Sequence, residues 1–262
     1  MPFVLFARAA WYARSMSEVV WVTGATSGIG EACVAPFLAA GHRVVAVGRR
    51  ADRLDGLQEK FAKESERLAT VRADVRDTAA LDTALENVAM EFRRPTILVA
   101  NAGIARGLAK AQEASLDDWD MMLATNVRAV IALVRRVLPA MVEARQGHIV
   151  FVGSVAASHP YVGGNVYGAT KAFIAQFAEN LRSDLHGTGV RVTTIEPGMV
   201  ETEFSTARFD GDEARAKAVY SGMEPLTAAD VADTIVWAAT RPAHVNISKI
   251  ELFPTAQSLA GF

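Results

Sequence analysis

Tyr167 and Lys171 are four residues apart, a spacing that puts both side chains on one face of a helix, one turn apart. A free phenol and a free ammonium both titrate near ~10, so neither exchanges a proton readily at neutral pH on its own. An ammonium ~4–6 Å from a phenol favours the phenolate and lowers its pKa by ~1–3 units. That would bring Tyr167 towards the range in which general acid–base catalysis operates. Most Tyr/Lys pairs at this spacing are ordinary surface pairs, so the elements that position this one decide its meaning.

Those elements alternate. Residues 19–23 are a short β-branched run ending at glycine, the mark of a buried strand. A helical pattern follows to Ala40, closed by Gly41, and residues 43–47 form the next strand. This is a βαβ unit. Helices are expected over 51–66, 78–92 (capped by Asp77), 116–142, the segment bearing Tyr167, and 227–239. Strands are expected over 68–73, 96–100, 147–153, 190–196 and 247–253. Alternation of this kind predicts an α/β fold: a single doubly wound Rossmann domain, its seven-stranded parallel sheet covered by helices on both faces. Residues 199–222 lose periodicity and collect glycine and charge around Phe204 and Phe209, which reads as a mobile flap beside the site.

Gly24, Gly28 and Gly30 lie in the first strand-to-helix turn, where backbone N–H groups and a positive helix end face a phosphate. Their spacing differs from the usual G-x-G-x-x-G, and alone it fits a structural turn equally well; in the first βα unit it points to a dinucleotide. An acid closing the second strand would take the ribose hydroxyls of NAD. Here the sequence is Gly48, Arg49, Arg50, with no acid before Asp52. Guanidinium suits a 2′-phosphate, so the expected cofactor is NADP, with Arg49 the main contact and Arg50 assisting. Two solvated arginines at a helix start are the alternative, disfavoured by the helix dipole.

Composition excludes other classes. The chain has 262 residues, 51% hydrophobic and 21% charged, with a net charge of −2. Such a balance gives no reason to propose nucleic acid or a membrane as partner. Cys33 is the lone cysteine and no His/Cys cluster has ligand spacing, so neither disulfide nor metal is expected, and a cytoplasmic location fits. Residues 1–17 carry Arg8 and Arg14 but no acid, and their apolar run is too short to span a bilayer. Met16 is a plausible start, with residues 1–15 a dispensable extension before a catalytic domain over 18–262.

The ordered set Thr23 to Gly30, Asn101 to Gly103, Asn126, Ser154, Tyr167 and Lys171 resembles the short-chain dehydrogenase/reductase family. The resemblance covers nearly everything from Glu18 onward. It implies that Tyr167 is the catalytic acid/base and that Lys171 binds the nicotinamide ribose and lowers the Tyr167 pKa. Ser154 would bind the reacting oxygen, and Asn126 would hold a proton-relay water. It implies a cofactor site of Gly24, Thr26, Ser27, Gly28, Ile29, Arg49, Arg50, Asp74, Val75, Asn101, Ala102, Gly103, Tyr167, Lys171, Pro197, Gly198 and Val200. Asp74 would contact adenine. Ala100 stands where the family often has asparagine, at the cost of a structural hydrogen bond.

Residues 163–173, 185–193, 202–204 and 244–247 are similar to the branch of NADP-dependent 3-hydroxy acid dehydrogenases that oxidise serine and L-allo-threonine. The region after Met199 is shorter than in that branch. A small 3-hydroxy acid needs a cation for its carboxylate: Arg208 is the first candidate and Arg106 the second. Ser154, Tyr161 and Tyr167 would complete the substrate site, with His159 divided between pocket and packing. Two other readings stay open: a reductase of neutral ketones and aldehydes, and a non-catalytic NADP-sensing protein. The resemblance also implies a homo-oligomer, usually a tetramer, formed through residues 116–142, the Tyr167 helix and the last strand.

Overall fold

The structure is a computed structural model that describes residues 18–258. The N-terminal extension therefore lies outside the described residues, apart from the boundary with Glu18.

Seven strands form one parallel sheet: β1 (Val19–Thr23), β2 (Arg43–Gly48), β3 (Leu68–Arg72), β4 (Ile97–Ala100), β5 (Gly147–Val152), β6 (Val190–Pro197) and, at the far edge, Lys249–Leu252. Their spatial order is β3-β2-β1-β4-β5-β6 followed by Lys249–Leu252. The direction of winding reverses between β1 and β4, and ligands bind outside the carboxyl ends of strands at such a switch point.

Alternate residues of each strand feed two separate cores, which is why the strands read as continuous apolar runs. Val20, Val22, Val44 and Ala46 pack with Val34 and Phe37 of α1 (Gly28–Ala39) and with Leu54 and Leu57 of α2 (Ala51–Lys60). On the opposite face Trp21, Val45 and Leu98 pack with Leu81 and Leu85 of α3 (Thr78–Glu86). Trp21 also donates from its indole to Phe92 O at 2.8 Å, so its one polar atom is satisfied inside the core.

The expected helix over 116–142 runs as α4 (Leu116–Leu123), a π-helical segment over Ala124–Arg128, and α5 (Ala129–Glu143). Met122 is buried there, while Trp119 donates to Asn165 Oδ1 at 3.1 Å rather than only packing. The Tyr167 helix is α6 (Asn165–Asp184). Two expected helices are shorter than predicted. The first breaks after Lys60 into a 3₁₀ stretch, Ala62–Arg67, and the second ends at Glu86, before a 3₁₀ turn at Met90–Phe92. Among the described residues no helix is long and apolar enough to cross a membrane.

The expected mobile flap carries regular structure. β7 (Val200–Glu201) pairs in parallel with β8 (Leu226–Thr227), and between them lie α7 (Glu203–Arg208) and α8 (Glu213–Ala218). Thr202 caps α7 by accepting from Phe204 N, and Asp212 caps α8 by accepting from Arg215 N. Six-residue helices are too short for a hydrophobic period to emerge in the sequence. Thr227 and Asp230 then form a capping box that starts α9 (Ala228–Ala239), packed beside α1; Lys249–Leu252 is β9.

Candidate active site

Ser154, Tyr167, Lys171 and Asn126 converge from three elements. Ser154 follows β5 and caps a 3₁₀ turn, its Oγ accepting from Ala156 N at 3.1 Å. Tyr167 and Lys171 occupy the first two turns of α6, as their spacing requires. A hydrogen bond joins the Ser154 side chain to that of Tyr167. The Lys171 ammonium donates to Val152 O at 2.9 Å and lies 5.8 Å from the centre of the Tyr167 ring.

Asn126 sits in the π-helical segment, where an extra residue per turn re-aims a side chain inward. Its Oδ1 accepts from Ile104 N and its Nδ2 donates to Ile104 O, both at 2.8 Å, and to Thr170 Oγ1 at 3.1 Å. The amide thus ties the loop after β4 to α6. Gly103 has no side chain between this amide and Lys171: a Cβ there would lie 3.4 Å from Asn126 Oδ1 and 3.6 Å from Lys171 Nζ.

The electrostatics depart from the sequence expectation. Burial outweighs any pull from Lys171, 5.8 Å from the ring, and pushes the phenol up to about 12, with the Tyr161 hydroxyl acting in the same direction. Ser154 and then Arg208 oppose that rise. Burial also lowers Lys171 to about 8, with Glu196 holding it up. In a low-dielectric site desolvation penalises each charged form, and here it exceeds the mutual attraction of the pair. Tyr167 is therefore a phenol at neutral pH, set for the acid role.

The turn after β1 is built for close approach. Gly24 has φ +67, a conformation open chiefly to glycine, and a Cβ on Gly30 would lie 2.4 Å from Gly24 O. Asn101 Nδ2 donates to Thr23 O at 2.8 Å, so Asn101 braces this turn. The Thr23 hydroxyl accepts from Asn101 N and Ala102 N.

The structure separates the two arginines after β2. Arg50 donates to Thr26 O at 2.7 Å and to Glu203 Oε2 at 2.6 Å, which commits it to joining the glycine-rich turn to the flap. Arg49 is more exposed, its side chain 63% accessible, and lies 3.8 Å from Asp74. Asp74 is held by Arg76 at 2.6 Å, and that hydrogen bond keeps its carboxyl below the usual range. Val75 is buried beside it. Arg53, Arg76 and Glu203 were not singled out from the sequence. Arg53 also binds Glu203, at 3.1 Å, and its spacing of three from Arg50 was the available signal.

Pro197 closes β6, and Gly198 N donates to Leu252 O at 2.7 Å. Val200 begins the flap. Its base lies on the turn, since a Cβ on Gly28 would be 3.2 Å from the Thr202 side chain. Beyond its base it reaches Tyr167, with the Phe204 and Tyr167 rings 5.8 Å apart.

Arg208 completes the enclosure. Its guanidinium lies 5.4 Å from the centre of the Tyr161 ring and 5.7 Å from that of Tyr167, and its Nε donates to Gly107 O at 2.9 Å. Its Nη2 is buried with no hydrogen-bond partner among the described residues. Arg106, by contrast, is engaged by Asp210 and Ala207 O. His159 packs edge-on against Phe253, which places it in the wall rather than among the reacting groups.

Residues 18–213 match the family model described as short chain dehydrogenase. The chain is 48% identical over 244 residues to the NADP-dependent 3-hydroxy acid dehydrogenase of Escherichia coli K12, covering 93% of this chain and 97% of that protein. It is 45% identical over 247 residues to the serine 3-dehydrogenase of Agrobacterium fabrum, covering 94% and 98%. It is also similar to a solved closed form of serine dehydrogenase complexed with NADP+, at a TM-score of 0.89 and 48% identity, over 93% of this chain and 98% of that one.

Proposed function

The chain belongs to the short-chain dehydrogenase family, and from that premise we propose that it is an NADP-dependent oxidoreductase of small 3-hydroxy acids such as serine or L-allo-threonine. The observation that carries the substrate class is Arg208, whose buried Nη2 lacks a partner beside the Tyr167 ring. A buried donor without an acceptor is costly, and a carboxylate would satisfy it.

The cofactor site fits NADP. The open turn at Gly24, Gly28 and Gly30 admits a pyrophosphate, with Thr26, Ser27 and Ile29 supplying its walls. Arg49 presents an exposed cation to a 2′-phosphate, with Arg50 steadying the turn. Asp74 and Val75 would border the adenine, and Asn101, Ala102, Gly103, Pro197, Gly198 and Val200 the cleft leading to Tyr167. When bound, the nicotinamide accepts or donates the hydride at the substrate C3.

The chain's own residues handle the proton and the charge. Tyr167 takes the hydroxyl proton during oxidation and returns it during reduction. Ser154 donates to the reacting oxygen and stabilises it as an alkoxide. Lys171 supplies positive charge beneath the phenol, and Asn126 fixes the loop that shapes the pocket.

Large apolar side chains are exposed on the long helix at Leu116, Leu123 and Ile131 and on α6 at Phe173. They support a homotetramer, which light scattering on the purified protein would test, and we place the enzyme in the cytoplasm.

Initial rates with NADP and NAD on L-serine, L-allo-threonine, 3-hydroxypropionate and a neutral secondary alcohol test the function. NADP-dependent rates on the acids are expected. Turnover of the neutral alcohol alone would instead make the protein a carbonyl reductase.

A further inference from the structure

Lys171 donates to Val152 O, at the carboxyl end of β5. The next residue, Gly153, has no side chain, and a Cβ there would lie 2.9 Å from Glu196 Cγ. Glu196 is fully buried on β6, one place beyond Ile195, the partner of Val152 in the sheet register. It lines a cavity of about 10 Å³ together with Ala175 and Glu179 of α6, and Ala175 is one turn beyond Lys171. The Glu196 side chain thus packs at Gly153 while the Lys171 ammonium bonds Val152 O, so the two reach adjacent residues, one from the sheet and one from the helix.

The carboxylate is poorly neutralised elsewhere. Glu196 Oε2 lies 2.8 Å from Lys249 Nζ, but Lys249 is shared with Glu251 at 3.1 Å and is itself 37% exposed at the sheet edge. Oε1 has no hydrogen-bond partner among the described residues. The cavity beside it has room for about one water. The charged groups around Glu196 are Lys249 and Glu251 of β9 and Glu179 and Lys171 of α6. A carboxylate buried this deeply is costly unless a second cation gains from it.

We propose that Glu196 is a positioning residue for the catalytic pair, its carboxylate keeping the Lys171 ammonium charged inside the buried site. Burial draws Lys171 down to about 8, and the Glu196 charge is what opposes that fall. Glu196 in turn is raised by its own burial and held down by Lys249.

The proposal rests on the reading of Lys171 as the active-site cation, so the test separates the two. Oxidation of L-serine with NADP is followed from about pH 6 to 10 in the wild type and in Glu196→Gln, Glu196→Asp and Lys171→Met. Lys171→Met is expected to abolish turnover, and retained activity would overturn the reading of the site. Lys171 loses its charge near pH 8, which puts a break in the rise of oxidation; Glu196→Gln is expected to bring that break to lower pH by about one unit, with Glu196→Asp returning it most of the way. An unmoved break in Glu196→Gln beside an inactive Lys171→Met overturns the proposal and leaves the site reading intact. If Glu196→Gln does not fold, Lys249→Met reads the same coupling from the other side. It removes the cation that holds the Glu196 carboxyl down, so the charge facing Lys171 changes and the break moves; an unmoved break there also overturns the proposal.

Discussion

The Arg208 guanidinium lies against the face of Tyr167, 5.7 Å from the ring centre, so the cation of the flap and the phenol of α6 border a single space. A ligand that meets both must carry an anionic group a few bonds from its reacting oxygen. Arg208→Ala should raise KM for 3-hydroxy acids by roughly 10- to 100-fold, the equivalent of a lost charge-assisted bond of ~1.5–3 kcal/mol. Neutral alcohols should be affected far less. Steady-state kinetics on both substrate types checks this, and an equal loss on both would remove Arg208 from carboxylate recognition.

Tyr167 remains a phenol to about pH 12 because burial outweighs the nearby hydrogen bond and cation. A raised pKa favours the protonated form at neutral pH, the form that carbonyl reduction uses. Oxidation needs the phenolate and should climb up to about tenfold per pH unit through the neutral range, less steeply above about pH 8 as Lys171 gives up its charge. Reduction should be fastest at neutral pH. Rates in both directions over one pH series show whether the two profiles diverge as this sign requires. Tyr167→Phe should abolish both and leave NADPH binding, followed by fluorescence, nearly unchanged.

Arg49 and Arg50 are neighbours in sequence with different work to do, one exposed beside Asp74 and the other joining Thr26 to Glu203. Arg49→Ala should lower the kcat/KM preference for NADP over NAD by roughly 10- to 100-fold, leaving NAD kinetics close to the wild type. Arg50→Ala should weaken both coenzymes, because it loosens the turn itself. The same loss of NADP preference in both variants would show that the two arginines share the phosphate.

His148 is buried against Thr193, Nε2 to Oγ1 at 2.7 Å, and burial, aided by Arg191, pushes its pKa down to about 3. The unfolded chain takes up a proton near the ordinary value of about 6.5 while the folded chain stays neutral. Stability from this group is therefore intact above pH ~6.5 and is lost as pH falls towards 3, at roughly 1.4 kcal/mol per pH unit. Urea unfolding at several pH values should show this slope in the wild type and a flatter one in His148→Gln.

The sheet was legible because parallel strands buried on both faces announce themselves as unbroken apolar runs, and Val19 to Thr23 is typical. That Tyr167 and Lys171 come together was legible because they lie on one helix, where spacing alone determines geometry. Less could be read wherever the answer depends on residues distant in the chain. The fates of Arg50 and Arg53 hinge on Glu203, some 150 positions away. The direction in which Tyr167 titrates depends on how much of the site is sealed from water, a property of the whole fold. The helices of the flap were not legible because six residues give no period to read.

The flap rests on the glycine-rich turn through Thr202 at one end and reaches Tyr167 through Phe204 and Arg208 at the other. One cover thus spans the entrances of both ligands. The two ligand sites are therefore not independent: a substitution at either end of the flap should change KM for coenzyme and hydroxy acid together, as steady-state kinetics with each varied in turn would show.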